Sequence, residues 1–314
     1  MAVGRMSELV DGYVEYKRSR GFKIRIEAYT LRRFASWADA AHPGEPLTTE
    51  LALGWIGTFD GVTDWYGARL WETVRTFSRW ACVEDARSVM LPKGRGTCHG
   101  RGKPYIYEDH EMATLMAGLS GLHSPDGLRA RSAVAMCGLM RACGLRPSEC
   151  CRLTVGDYDA RTATLSVMAT KFNRSRLVPL SDGAAARVKS HLSSLTGARD
   201  GAPMFPRTGG SPFNVRGLEY AWQLVRDALL PDGETAWSRR PPRPYDLRHT
   251  MITKTLEGWL AAGVDVDAMM PRLSAYVGHR KVQDTYWYLS ATDALLGTAS
   301  DMFASYALGG DGNE

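Results

Sequence analysis

Apolar positions recur at helical spacing through the first third of the chain and divide it into four segments. Leu9, Val10, Tyr13 and Tyr16 share a face of the first, since residues three and four apart meet on one side of a helix. Tyr29, Phe34 and Trp37 mark the second. Leu51, Leu53, Trp55 and Ile56 mark the third, after Thr48 or Thr49 as cap. The fourth, Ala68 to Val83, carries Leu70, Trp71, Val74, Phe77 and Trp80. Five of the chain's nine tryptophans (Trp37, Trp55, Trp65, Trp71, Trp80) lie here, and a small helical unit needs such side chains to bury enough apolar area, so they are expected in its core. Lys17, Arg18, Arg20, Lys23, Arg25, Arg32, Arg33, Arg69, Arg75 and Arg79 lie off the stripes, on a face that is either solvated or turned toward a polyanion.

Periodicity stops between Leu91 and Lys103, a glycine-rich basic stretch with Lys93, Arg95, Arg101 and Lys103 and no acid. That composition describes a flexible linker able to neutralise phosphates. Helical patterning resumes after Tyr107, with Glu108, Asp109 and Glu111 in a first turn where acids suit the helix dipole. Leu128 to Cys143 reads as a central buried helix ended by Gly144, and Pro147 fits the first turn of a short helix. Thr162–Thr170 and Arg176–Leu180 flank a turn at 173–175, the one clear β signal. Further helices are expected at Ala184–Leu195, Asn214–Leu229, Thr250–Ala262, Asp265–Ser274 and Asp293–Ala307, before a disordered Gly309–Glu314. The pattern predicts a mainly α chain with a small antiparallel β-sheet (an α+β domain at 105–308), preceded by an all-α helical bundle (1–91) and a linker (92–104).

Composition adds limits. No apolar run approaches the roughly 18 residues of a membrane span, and the N-terminus lacks a signal-peptide core, so a cytoplasmic protein is expected. Thirty-nine basic residues against 34 acidic ones give +5, a modest bias toward polyanions. None of the six cysteines forms a Cys-x-x-Cys pair, and Cys98-His99 has no second cluster, so no structural metal is expected.

Four pieces carry chemistry. Gly144-Leu145-Arg146-Pro147-Ser148-Glu149 sets an arginine at a helix start; Lys171 sits at the hairpin tip; Tyr245-x-x-Arg248-His249 enters a helix; Gly278-His279 is followed by Tyr288. A phosphate ester needs such groups: cations for its oxygens, a neutral-pH proton handler and an oxygen nucleophile. In this order and spacing they resemble the tyrosine recombinase (phage integrase) family, from about Tyr105 to the end, and the segment 284–292 is similar to integrases and transposases of mobile elements.

The resemblance implies site-specific DNA strand cleavage and rejoining. Tyr288 would attack the phosphodiester and leave a 3′-phosphotyrosine, Arg146 and Arg248 would hold the non-bridging oxygens, Lys171 would protonate the leaving oxygen, and His279 would donate to or position the phosphate. Glu149 and His249 would give structural support. It also implies a core-binding role for the helical region, no cofactor, and a homotetramer on two double-stranded DNA sites, a monomer or dimer without DNA. The family's usual histidine before x-x-Arg is here Tyr245, which leaves the proton acceptor open. Tyr276 and Tyr286 compete with Tyr288, and spacing from Gly278-His279 favours Tyr288. Two rivals are a type IB topoisomerase-like enzyme and a DNA-binding relative with impaired catalysis.

Overall fold

A computed structural model describes residues 4–94, 104–168, 175–226 and 241–290 and the single position 297. The chain divides into two compact units, residues 1–102 and 103–314.

Four helices make up the described part of the first unit: α1 (Arg5–Ser19), α2 (Arg25–Ala41), α3 (Thr49–Gly57) and α4 (Asp64–Glu84). Thr48 and Thr63 cap α3 and α4 through their side-chain oxygens. Asp39, late in α2, accepts from the backbone N–H groups of Met6 and Ser7 at 2.9 and 3.0 Å and satisfies the exposed start of α1. Leu9, Val10, Tyr13, Phe34, Leu51, Trp55, Leu70, Trp71, Val74 and Phe77 form the core. Tyr16, Tyr29 and Leu53, expected on the buried stripes, and Trp65, expected in the core, are exposed instead. For three of them the chain's own cations supply the cover: the guanidinium carbons of Arg20, Arg33 and Arg69 stand 5.8, 5.9 and 5.6 Å from the rings of Tyr16, Tyr29 and Trp65.

The second unit is built around α6 (Leu128–Cys143), which packs against α5 (Asp109–Ser120), α8 (Asp182–Ser193) and α10 (Asp246–Ala261). Between α6 and α8 lie the short α7 (Pro147–Cys150) and an antiparallel sheet in the order β1 (Tyr158–Asp159), β2 (Thr164–Val167), β3 (Arg176–Pro179). Leu165 faces Tyr158 on one side and Val178 on the other, and all three are buried. The two residues of β1 are too few to show period-two alternation, which is why the sequence pattern missed them. The hairpin's tip, with Lys171, lies outside the described residues.

The rest is α9 (Val215–Arg226), α11 (Val266–Val277), α12 (Gln283–Tyr286) and a closing 3₁₀ turn, Trp287–Ser290. α10 starts at Asp246, a turn ahead of the expected Thr250, because the Asp246 carboxylate accepts from the Arg243 backbone N–H at 2.8 Å and organises the preceding Pro-rich turn. α11 runs past Ser274 to Val277 and stops at Gly278. A second apolar cluster of Ile252, Leu256, Met270, Leu273, Val277 and Tyr288 joins α10, α11 and the closing turn. The expected tail helix, apart from position 297, the expected disordered end, and Arg95, Arg101 and Lys103 lie outside the described residues, while Lys93 is exposed. Among the described residues no helix is long and apolar enough to cross a membrane, and no three His, Cys, Asp or Glu side chains gather to hold a metal ion.

Candidate active site

The end of α6 places the first arginine. Gly144 takes φ 62°, a left-handed conformation that a side chain disfavours, and a Cβ there would stand 3.1 Å from the Met251 sulfur. The chain then turns so that Arg146 precedes Pro147, the first residue of α7. Glu149, fully buried, reaches back to accept from the Arg146 backbone N–H at 3.0 Å and from Arg146 Nη1 at 2.6 Å. Arg176, opening β3, donates to the same carboxylate through Nη1 and Nη2 at 3.1 and 2.9 Å. Burial alone would push the Glu149 carboxyl up; the hydrogen bonds and charge of Arg176, then those of Arg146, outweigh it and hold the group down at about 2. The two arginines also clamp the end of α11, Arg176 Nε donating to the Tyr276 carbonyl at 2.8 Å and Arg146 Nη2 to the Gly278 carbonyl at 2.7 Å.

The second arginine is placed differently. Arg248 lies in the first turn of α10 and is wholly buried. Its Nη1 donates to the Gly144 carbonyl at 2.6 Å, while its Nε and Nη2 have no hydrogen-bond partner among the described residues. Burial first, and then the neighbouring Arg146 cation, lower its pKa to about 10, with Tyr245, Tyr288 and Glu149 pulling the other way. Those four groups therefore share its neighbourhood. A buried cation with two unused donors is costly unless an anion satisfies them.

The closing turn delivers the third component. Tyr288 is 3% exposed, and its hydroxyl lies 2.7 Å from His249 Nδ1. Its ring lies nearly parallel to that of His279, 6.2 Å between centroids and 17° apart. His279 Nδ1 is 2.7 Å from the Thr285 hydroxyl, which fixes that imidazole. On the far side of His249, Nε2 faces Asp246 Oδ1 at 3.9 Å, and the Tyr245 ring meets the imidazole edge-on at 5.1 Å. The competing tyrosines are occupied elsewhere: Tyr286 donates to Asp267 at 2.9 Å and Tyr276 to the Pro179 carbonyl at 3.1 Å.

Arg146, Glu149, Tyr245, Arg248, His249, His279 and Tyr288 thus fall within one unit and are linked by direct contacts or shared charge. Lys171, Arg95, Arg101 and Lys103 are not placed by the described residues, and Lys93 belongs to the other unit. His249, expected as support, has its ring on the Tyr288 hydroxyl. Sequence reasoning passed over Arg176, Asp246 and Thr285. Asp246 stands one helical turn before His249, so an i, i+3 reading could have found it. Arg176 merely opens a strand and gives no such signal.

Comparison with known proteins bears on the family and the fold. The model of the phage integrase family matches residues 106–294. A Sinorhizobium fredii protein named as an integrase/recombinase, y4rB, is 29% identical over 297 residues, covering 92% of this chain and 94% of its own. The tyrosine recombinase XerD of Caulobacter vibrioides is 30% identical over 262 residues, covering 79% of this chain and 77% of its own. In fold, the chain matches the Tn1549 transposon integrase, solved in complex with a circular intermediate DNA, with a TM-score of 0.66 at 15% identity over 89% of this chain and 94% of that one. A lambda integrase tetramer bound to a Holliday junction gives a TM-score of 0.62 at 16% identity over 87% of this chain and 77% of that one. With the family model spanning more than half the sequence and a 30%-identical relative following most of it, the chain belongs to the phage integrase family of tyrosine recombinases.

Proposed function

We propose that the chain is a site-specific DNA recombinase that cuts and rejoins strands through a 3′-phosphotyrosine on Tyr288, serving integration or excision of a mobile element. The observation that carries this reading is a phenol beside an imidazole, with Arg248 and its two unused donors in the same neighbourhood. Two cationic forks match the non-bridging oxygens of a phosphodiester and stabilise the charge that builds up at phosphorus in the transition state. Arg146 and Arg248 fill that role, His279 positions the phosphate, and Lys171 protonates the leaving 5′ oxygen. Storing the bond energy in the tyrosyl ester removes any need for a nucleotide cofactor.

The DNA partner is supported by the structural neighbours, solved on a circular intermediate DNA and on a Holliday junction, and by exposed arginines of the first unit suited to phosphates. In this reading residues 1–91 are the core-binding domain, 92–104 a linker with Lys93, Arg95, Arg101 and Lys103 along the backbone, and 105–308 the catalytic domain. Strand exchange between two duplexes calls for four copies, so the active form is a homotetramer on DNA.

The test is covalent capture. The protein is incubated with sheared genomic DNA of its source, denatured, and the attached DNA sequenced. Adducts with 3′ ends on the protein and free 5′-hydroxyls are expected. Tyr288→Phe removes them, whereas Tyr286→Phe retains them. Capture through Tyr286 overturns the assignment, and no capture at all favours a DNA-binding relative. Supercoil relaxation on plasmids without a captured site would instead indicate the topoisomerase-like reading.

A further inference from the structure

We propose that His249 is the proton acceptor for Tyr288 and that Asp246 is its positioning residue. The inference rests on the strand-cleavage reading above and supplies the base left unassigned by Tyr245. A phenol with an ordinary pKa near 10 cannot accept the proton of another phenol at neutral pH, whereas an imidazole near 6.5 is unprotonated and available. Geometry selects which imidazole. His249 Nδ1 lies 2.7 Å from the Tyr288 hydroxyl, within reach of direct transfer, while His279 Nδ1 is directed to Thr285.

The proposed transfer requires one tautomer. For Nδ1 to accept, Nε2 must carry the hydrogen, and Nε2 is the atom that faces Asp246 Oδ1 at 3.9 Å. That carboxylate is itself held by the Arg243 backbone N–H at 2.8 Å and Arg243 Nη2 at 3.3 Å, so it is a fixed anion on the side where imidazolium charge develops. Tyr245, packed edge-on, meets the ring from the position just before α10, and Trp287 meets it from the closing turn, 6.1 Å between centroids. The Arg248 guanidinium shares the neighbourhood of Tyr288, and a cation there suits the phenolate form.

In the cleavage step the Tyr288 O–H bond breaks and its proton passes to His249 Nδ1. The phenolate oxygen bonds to phosphorus as the bond from phosphorus to the 5′ oxygen breaks, and that oxygen takes a proton from the general acid. In rejoining, the 5′-hydroxyl gives its proton back to the deprotonated general acid as its oxygen bonds to phosphorus, the bond from phosphorus to the Tyr288 oxygen breaks, and His249 returns its proton to that oxygen. No redox partner is required.

The experiment measures single-turnover adduct formation on a nicked duplex carrying a cleavage position captured with the wild-type chain, from about pH 5 to about pH 10. The wild type is expected to rise through one inflection in the histidine range and level off. His249→Ala and His249→Asn should slow adduct formation at neutral pH by about 10²- to 10³-fold and lose that inflection, their rates rising with hydroxide. Imidazole in the buffer should restore part of the His249→Ala rate. Asp246→Asn should move the inflection to lower pH by withdrawing the anion that stabilises imidazolium, a shift that loss of packing alone does not produce. An inflection that persists in either His249 variant, folded by circular dichroism, overturns the inference. If Tyr288→Phe still forms the adduct, or the wild type forms none, the strand-cleavage reading fails instead.

Discussion

Two buried charges in the second unit, barely separated in space, are solved in opposite ways. Glu149 is surrounded by donors: one backbone N–H, three guanidinium nitrogens and two cations to balance it. Arg248, equally buried, has among the described residues one hydrogen bond to a carbonyl, two nitrogens without a partner, and another cation close by. The first is the signature of a charge that builds the site; the second, of a charge kept ready for something that arrives. Fold stability should therefore depend on Glu149, and chemistry on Arg248.

Glu149→Ala tests the first half and has the largest expected effect. It leaves Arg146 and Arg176 facing each other with no anion, and breaking a buried pair of this kind costs about 3–5 kcal/mol. Urea unfolding should show a large drop in midpoint. A loss under about 1 kcal/mol would place Glu149 with the surface charges.

Arg248→Met tests the other half. It removes a desolvated cation while filling similar volume, so stability should change by no more than about 1 kcal/mol in either direction. Adduct formation should nevertheless fall about 10²- to 10³-fold, the usual cost of losing one transition-state donor. Thermal melting and single-turnover cleavage, measured on the same preparation, separate the two effects. Inorganic phosphate should raise the melting temperature of the wild type more than that of the variant. Equal responses would mean that the idle nitrogens do not receive an anion.

The same contrast predicts an acid limb in stability. The Glu149 carboxyl sits at about 2 in the fold against an ordinary 4.5. Its folded value is depressed, so its contribution is complete above about 4.5 and is lost as pH falls toward 2; the difference corresponds to roughly 3 kcal/mol. Unfolding midpoints from neutral to acid pH should show this loss in the wild type, and the slope should flatten in Glu149→Gln.

How much of this was legible beforehand follows from how local each feature is. Gly144, Arg146, Pro147 and Glu149 were readable because a helix stop and a helix start fit within six residues, and the capping contact that joins Arg146 to Glu149 is itself local. Arg176 was not, since it reaches Glu149 from a strand 27 residues later and its sequence neighbours record nothing of that partner. The role of His249 depended on a turn 39 residues later, and no spacing rule within α10 predicts that contact. In the first unit, periodicity placed Tyr16 and Tyr29 on apolar stripes, but it cannot distinguish a ring covered by another helix from one beside an arginine.

The smallest effect probes where the two charge arrangements touch. Gly278 ends α11 at φ 69°, and its carbonyl accepts from Arg146 at 2.7 Å. A Cβ at this position would stand 2.7 Å from Arg176 Nη1 and 3.0 Å from Arg176 Cζ. Gly278→Ala therefore meets both a disfavoured backbone conformation, worth about 1–2 kcal/mol, and a guanidinium that must shift off Glu149 to make room. The two contributions can be separated by a double-mutant cycle in urea. On an Arg176→Met background the flexible thioether yields more easily, and the alanine should cost only its backbone share. A cost unchanged by the second substitution would mean that Gly278 serves the helix end alone; a reduced cost ties this glycine, one residue before His279, to the carboxylate that holds Arg146.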